Sequence, residues 1–328
     1  MITLSDIYDA ADRIAPHIQK TPIYSSSILN GLLKQNIYFK CECLQKTGAF
    51  KIRGAASYIV KAKANNPSLK HIVANSSGNH AQAVAYIANK LQLTSTIYAN
   101  STISPIKAAA TQSYGATLKT FNSRPEADAA VEAASKQPDT LWVPPFNHPD
   151  VIAGQGTVAL DAIKELGTDI DAVFAPCGGG GLLSGTQVVT HGLIPNAKVI
   201  GVEPHNANDA LRSLQSGEIV SLTSTPNTLA DGAATPAIGK HTFPHLKKLD
   251  GFVDVTETRI AYWTQWLQHL LKIHVEPTSA MSMEAVYQWA QTTPKNSRAL
   301  VLLSGGNISH TTMANVWQQD HLSELPSL

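Results

Sequence analysis

His-Ile-Val-Ala-Asn-Ser-Ser-Gly-Asn-His, residues 71–80, runs from an apolar stretch through a turn of small polar residues into a helical pattern. Strand, short polar turn and helix in that order open a βαβ unit. The same alternation recurs on both sides of it. Strand-like runs occupy residues 37–44 (IYFKCECL), 94–99, 116–121, 171–177 (DAVFAPC), 198–203 and 299–306 (ALVLLSGG). Helical patterns fill residues 81–91, 104–114, 126–136 and 151–166. The expected class is therefore α/β, with mainly parallel sheets flanked by helices. The compact repeats at 71–140 are expected to form a small domain, and residues 1–66 with 146–328 a large one.

Ligands of open α/β sheets sit at the carboxyl ends of the strands, so the polar turns after strands hold the candidate residues. Four turns qualify. Lys51 begins a helix after the run 37–44, and the positive end of a helix dipole disfavours an ammonium there. A lysine with a lowered pKa forms imines readily, although a surface lysine is the ordinary alternative. Ser76, Ser77, Gly78, Asn79 and His80 offer hydroxyls and amides at a helix start, suited to a carboxylate or simply to capping. Gly178, Gly179, Gly180 and Gly181 come after a strand and precede a helix, where successive amides can face a phosphate. This run lacks the Gly-Lys-Ser/Thr ending of a P-loop and the spacing of a dinucleotide fingerprint. Ser304 closes the last apolar run and can equally cap the next helix.

The 328 residues carry a formal charge of only +1, which argues against a nucleic-acid or membrane-surface partner. Residues 1–18 read as an amphipathic, partly acidic helix, so neither a signal peptide nor a membrane span is expected. Three cysteines, Cys41, Cys43 and Cys177, suit neither a disulfide framework nor a structural zinc site. Reduced thiols in the cytoplasm are the simplest expectation.

Taken in order, these motifs closely resemble the fold-type II pyridoxal-phosphate family of serine/threonine dehydratases and serine racemases, whose architecture is like that of tryptophan synthase β. The resemblance also covers residues 21–27, 144–157 (PPFNHPDVIAGQGT), 201–210 (GVEPHNANDA), 228–233 and 275–280 (VEPTSA). It implies pyridoxal 5'-phosphate as cofactor, with Lys51 as the Schiff-base lysine. Gly178 to Gly181 would hold its phosphate, Asn79 its ring hydroxyl, and Ser304 its pyridine nitrogen. Ser76, Asn79 and His80 would receive the substrate carboxylate, partly through backbone amides. Ser77 matches the serine that faces the substrate opposite the lysine in the racemases. Glu203, the carbonyl of Ala207 and Asp209 match a divalent-cation site, and hard oxygen ligands suit magnesium or calcium.

The expected reaction is dehydration and deamination of L-threonine or L-serine to a 2-oxo acid and ammonia. A hydroxyl at Ser304, in place of a carboxylate, suits an elimination in which the leaving group relieves developing charge at once. Serine racemisation through Ser77 and 3-hydroxyaspartate dehydration are the alternatives; an inactive ligand sensor is the alternative of a different class. The aspartate derivative needs an amide pocket or a cation for its second carboxylate. Arg53 offers one, although a helical residue two positions past Lys51 faces another way. The resemblance also implies a homodimer.

Overall fold

The structure, a computed structural model, describes residues 1–328. Ten strands occur: β1 Ile23–Tyr24, β2 Asn36–Cys41, β3 His71–Asn75, β4 Thr94–Asn100, β5 Thr117–Phe121, β6 Thr140–Trp142, β7 Ala172–Pro176, β8 Lys198–Pro204, β9 Gly251–Val255 and β10 Arg298–Leu303. They form a six-stranded sheet in the order β1-β2-β10-β7-β8-β9 and a four-stranded sheet in the order β5-β4-β3-β6. Every pairing is parallel except β1 with β2. The parallel α/β class expected from the alternating runs is what the chain adopts.

Parallel strands covered on both faces read as continuous apolar runs, and β7 is buried at every position. Alternate residues of β10 serve opposite layers. Leu300 and Leu302 pack with Val173, Ala175 and Val199 on one side of the sheet. Ala299, Val301 and Leu303 pack with Phe39, Phe174 and Trp263 on the other. The helices Pro149–Leu166 and Gly181–Leu193 cross so closely that a Cβ on Gly185 would lie 2.4 Å from the Cα of Gly156.

Three strands, β1, β6 and β9, lie outside the runs picked from sequence. Of these, β1 and β6 have only 2 and 3 residues, too few for an alternation to show. The run 37–44 is a strand only to Cys41; Glu42–Leu44 turns into a 3-10 segment. All three cysteines are free and buried.

That turn positions Glu42 for a wholly buried ion pair. The Arg53 guanidinium donates to both Glu42 carboxylate oxygens, at 2.8 and 2.9 Å, and to Asp161 Oδ2 at 2.8 Å. Thr157 accepts a further bond at 3.0 Å, and the Thr21 hydroxyl donates to Glu42 at 2.6 Å. Burial alone would raise the Glu42 pKa, but the guanidinium holds the carboxyl below its ordinary range. Arg53 is thus fully engaged inside the large sheet's helical layer. It does not supply the cation for a second substrate carboxylate.

Arg53→Met should lower the unfolding free energy by about 3–5 kcal/mol in urea titration, because Glu42 keeps a buried charge without its counter-ion. The double variant Arg53→Met, Glu42→Met should recover most of that loss. A single variant as stable as the parent would show that the pair does not anchor the helix.

Candidate active site

Because β2, β10 and β7 are neighbours, the turns after them are neighbours too. The turns after β2 and β10 are stitched by backbone bonds: Phe50 N donates to Ser304 O at 2.9 Å, and Gly306 N to Gly48 O at 2.9 Å. Gly48 adopts φ +69° to make this turn, and a Cβ there would lie 2.5 Å from Asn307 Oδ1. From the other sheet, the turn after β3 brings Ser76 to His80. Together these segments line a cleft of about 460 Å³ that includes Lys51, Ser76–His80, Gly178–Gly181 and Ser304.

Lys51 is the first residue of the helix Lys51–Asn65, and its Nζ donates to the Pro145 carbonyl oxygen at 2.9 Å. Burial pulls its pKa down to about 8, against the pull of the Glu276 carboxyl. The lowered value expected from the helix end is present, with desolvation as its main cause.

The glycine run is a backbone cradle at the N-terminus of the 13-residue helix Gly181–Leu193. Side chains are excluded there: a Cβ on Gly179 would lie 2.3 Å from the Phe146 ring, and one on Gly181 would lie 2.1 Å from Gln155 Oε1. Amide groups and the dipole end face the cleft together, an arrangement that favours a phosphate.

Asn79 begins the helix Asn79–Lys90. Its Nδ2 donates to both Glu276 oxygens, at 3.1 and 3.2 Å, and its Oδ1 accepts from Asn307 at 2.9 Å. Ser77 Oγ accepts from Asn100 N at 3.3 Å, while Ser76 Oγ accepts from Gly78 N at 3.2 Å. His80 Nε2 contacts the Val143 carbonyl at 2.8 Å, so that nitrogen carries the proton. Burial depresses the His80 pKa to about 3, and its buried Nδ1 has no partner. A bare lone pair cannot receive a carboxylate. The role expected of His80 narrows to its backbone amide.

Ser304 Oγ lies 2.9 Å and the Gly305 carbonyl oxygen 2.8 Å from Ser279 Oγ, which accepts from Gly305 N at 2.8 Å. Ser279 has one hydrogen to place between them; when Ser304 receives it, the Ser304 hydrogen is left for the cleft.

Glu276 was not among the residues singled out from sequence, although it lies in the segment 275–280 (VEPTSA). Burial raises its pKa to about 7, with the like charge of Asp231 adding to the effect. Its one local signal is an acid wedged between Val275 and Pro277. The cations Lys107 and Arg124 line the same cleft and were also missed. Lys107 Nζ is bonded to Asp231, whereas Arg124 Nε stands 3.8 Å from Asp128 with both side chains half-exposed.

Glu203, Ala207 and Asp209 lie apart from the cleft, at the end of β8 and the turn after it. Glu203 accepts from Leu211 N at 2.7 Å and Ala210 N at 3.2 Å; Asp209 Oδ2 is buried with no partner. Burial, with the adjacent Asp209, raises the Glu203 pKa to about 9, and burial raises that of Asp209 to about 7. No group of three or more His, Cys, Asp or Glu side chains gathers anywhere in the structure. A cation at this place would depend on two carboxylates and a carbonyl.

Residues 14–305 match the family described as pyridoxal-phosphate dependent enzyme. The L-threo-3-hydroxyaspartate ammonia-lyase of Saccharomyces cerevisiae is 39% identical over 310 residues, 93% of each chain. The serine racemase of Dictyostelium discoideum is 38% identical, covering 96% of this chain and 98% of its own. Among solved structures, a T.th. threonine deaminase superposes with a TM-score of 0.88 at 39% identity, over 94% of this chain and 99% of that one.

Proposed function

The chain belongs to the pyridoxal-phosphate dependent enzyme family, and on that premise we propose that it eliminates water and ammonia from L-threo-3-hydroxyaspartate, ahead of L-serine and L-threonine. The observation that carries this order is Arg124: a loosely paired guanidinium on the wall of a polar cleft, free to take a second carboxylate. Yeast and Pseudomonas relatives named for that substrate, at 39% and 35% identity, support it.

The residues fit the cofactor. Lys51 would hold its aldehyde carbon through an amine already near neutrality, Gly178–Gly181 its phosphate, Asn79 its ring hydroxyl and Ser304 its ring nitrogen. When bound, pyridoxal phosphate supplies an electron-accepting ring that acidifies the Cα hydrogen of an amino acid. The free Lys51 amine would take that proton and return it to the Cβ hydroxyl, which would leave as water as the Cβ–O bond breaks. The resulting enamine tautomerises and hydrolyses to a 2-oxo acid and ammonia. The substrate α-carboxylate rests on the amides of Ser76 to His80, with the hydroxyl of Ser76 and the side chain of Asn79 beside it.

A second activity rests on Ser77. Its Oγ already accepts the Asn100 amide, which leaves its own hydrogen free to donate into the cleft and return a proton to Cα, so L-serine would also racemise.

The fit of a divalent cation rests on the orphaned Asp209 oxygen and two raised carboxyl groups, which a cation would stabilise in charged form. Glu203, Asp209 and the Ala207 carbonyl would hold magnesium or calcium completed by water. Residues 1–66 with 146–328 and residues 71–140 would be two lobes that meet at the cleft. A homodimer in a reducing compartment such as the cytoplasm accords with the family resemblance and with three free, buried thiols. No helix is long and apolar enough to cross a membrane.

A panel of L-threo-3-hydroxyaspartate, L-serine and L-threonine, followed by ammonia release and D-serine formation, tests the reading. Lys51→Ala should lose all products and the visible imine band. Arg124→Leu should cut kcat/KM for the aspartate derivative by about 10- to 100-fold while L-serine changes little. Ser77→Ala should lose D-serine and keep ammonia. Equal losses for both substrates in Arg124→Leu would remove its specificity role. Chelation should lower Tm by about 5 °C, restored by magnesium or calcium, as for a site saturated at about a hundred times its Kd. Asp209→Ala should abolish that response, and a chelator-insensitive parent would refute the cation.

A further inference from the structure

Residues 152–157, IAGQGT, place a glutamine in the middle of the helix Pro149–Leu166, fully buried at 0% exposure. Only half of its amide is bonded within the protein: Nε2 has a partner, whereas the buried Oε1 has none. Gln155 Nε2 donates to the Pro145 carbonyl oxygen at 3.0 Å, the atom that also accepts Lys51 Nζ at 2.9 Å. A carbonyl has two lone pairs, and here each receives one donor. Since that oxygen only accepts, it fixes which way the Gln155 amide points.

The side chain passes through a slot between two helices. A Cβ on Gly54 would lie 2.9 Å from Gln155 Cγ, and one on Gly181 would lie 2.1 Å from its Oε1, so the side chain fits because both neighbours are glycine. Pro144 and Pro145 lack backbone donors and lie outside any helix or strand. The Pro145 carbonyl is held by the two groups that donate to it.

We propose that Gln155 is a positioning residue that fixes the Pro145 carbonyl as the resting place of the Lys51 amine whenever that amine is not joined to the cofactor. With one hydrogen held there, the amine keeps its lone pair free for the Cα proton. Unheld, it would sample the many rotamers of lysine. This deepens the reading of Lys51 as cofactor anchor and proton acceptor, and rests on it. The titratable neighbours of Lys51 are Glu276, before the helix Pro277–Ala280, and His80, neutral in the helix Asn79–Lys90.

The test is the pH profile of kcat in two holoenzyme variants. Gln155→Leu should lower kcat by about tenfold, the effect of one hydrogen bond. Its acid limb should move to lower pH, because a displaced acceptor no longer favours the ammonium. Gln155→Glu should move the acid limb to higher pH, because a carboxylate beside the amine favours its charged form. Both should retain the visible cofactor band. If Gln155→Leu does not fold, the direction in Gln155→Glu decides. An unmoved acid limb in Gln155→Glu with its band intact would overturn the proposal. A band that survives Lys51→Ala would instead overturn the assignment of Lys51 itself.

Discussion

The parallel pairing of β2 with β10 is the constraint on which the site depends. Six consecutive residue pairs, from Asn36 with Arg298 to Cys41 with Leu303, align two strands that lie about as far apart in sequence as the chain allows. Their ends then exchange bonds between Phe50 and Ser304 and between Gly48 and Gly306. A slip of one residue would turn every side chain of β10 to the opposite layer and carry Ser304 away from Lys51. No local preference of either turn could put an amine and a hydroxyl in one cleft. The register does.

Charge is arranged around that frame in two different ways. Outside the cleft, Arg53 pairs with buried Glu42 and with part-exposed Asp161 through a set of short bonds. Inside it, Lys51, Glu276 and His80 are held away from their ordinary ionisation by burial, and Glu276 accepts from the uncharged amide of Asn79 in place of a cation. Lys51 and Glu276, balanced near neutral pH, can exchange protons at small cost, while His80 stays neutral. Lys51 and Arg53 stand two residues apart on one helix. The roughly 200° between them separates a buried amine of lowered pKa from a permanent ion pair.

Much of this was legible in the sequence, for reasons that differ by residue. Buried parallel strands such as β7 and β10 show as unbroken apolar runs, and glycines after them mark turns that need open backbone. Lys51, the glycine run and Ser304 therefore stood out. Glu276, Gln155 and Arg124 did not, because their meaning lies in what surrounds them. A glutamine inside an apolar helix looks like a surface residue until another helix covers it. Arg53 shows the reverse case, a cation near the right place whose direction is set by a turn at Glu42. The ring of His80 likewise carries no sign that a carbonyl at Val143 will claim its proton.

The Arg53 anchor has a consequence for the helix that begins at Lys51. It fastens the first turn of that helix from the side away from the cleft, by bonds to Glu42, Thr157 and Asp161. The root of the Lys51 side chain is thus held by contacts in which nothing bound in the cleft takes part.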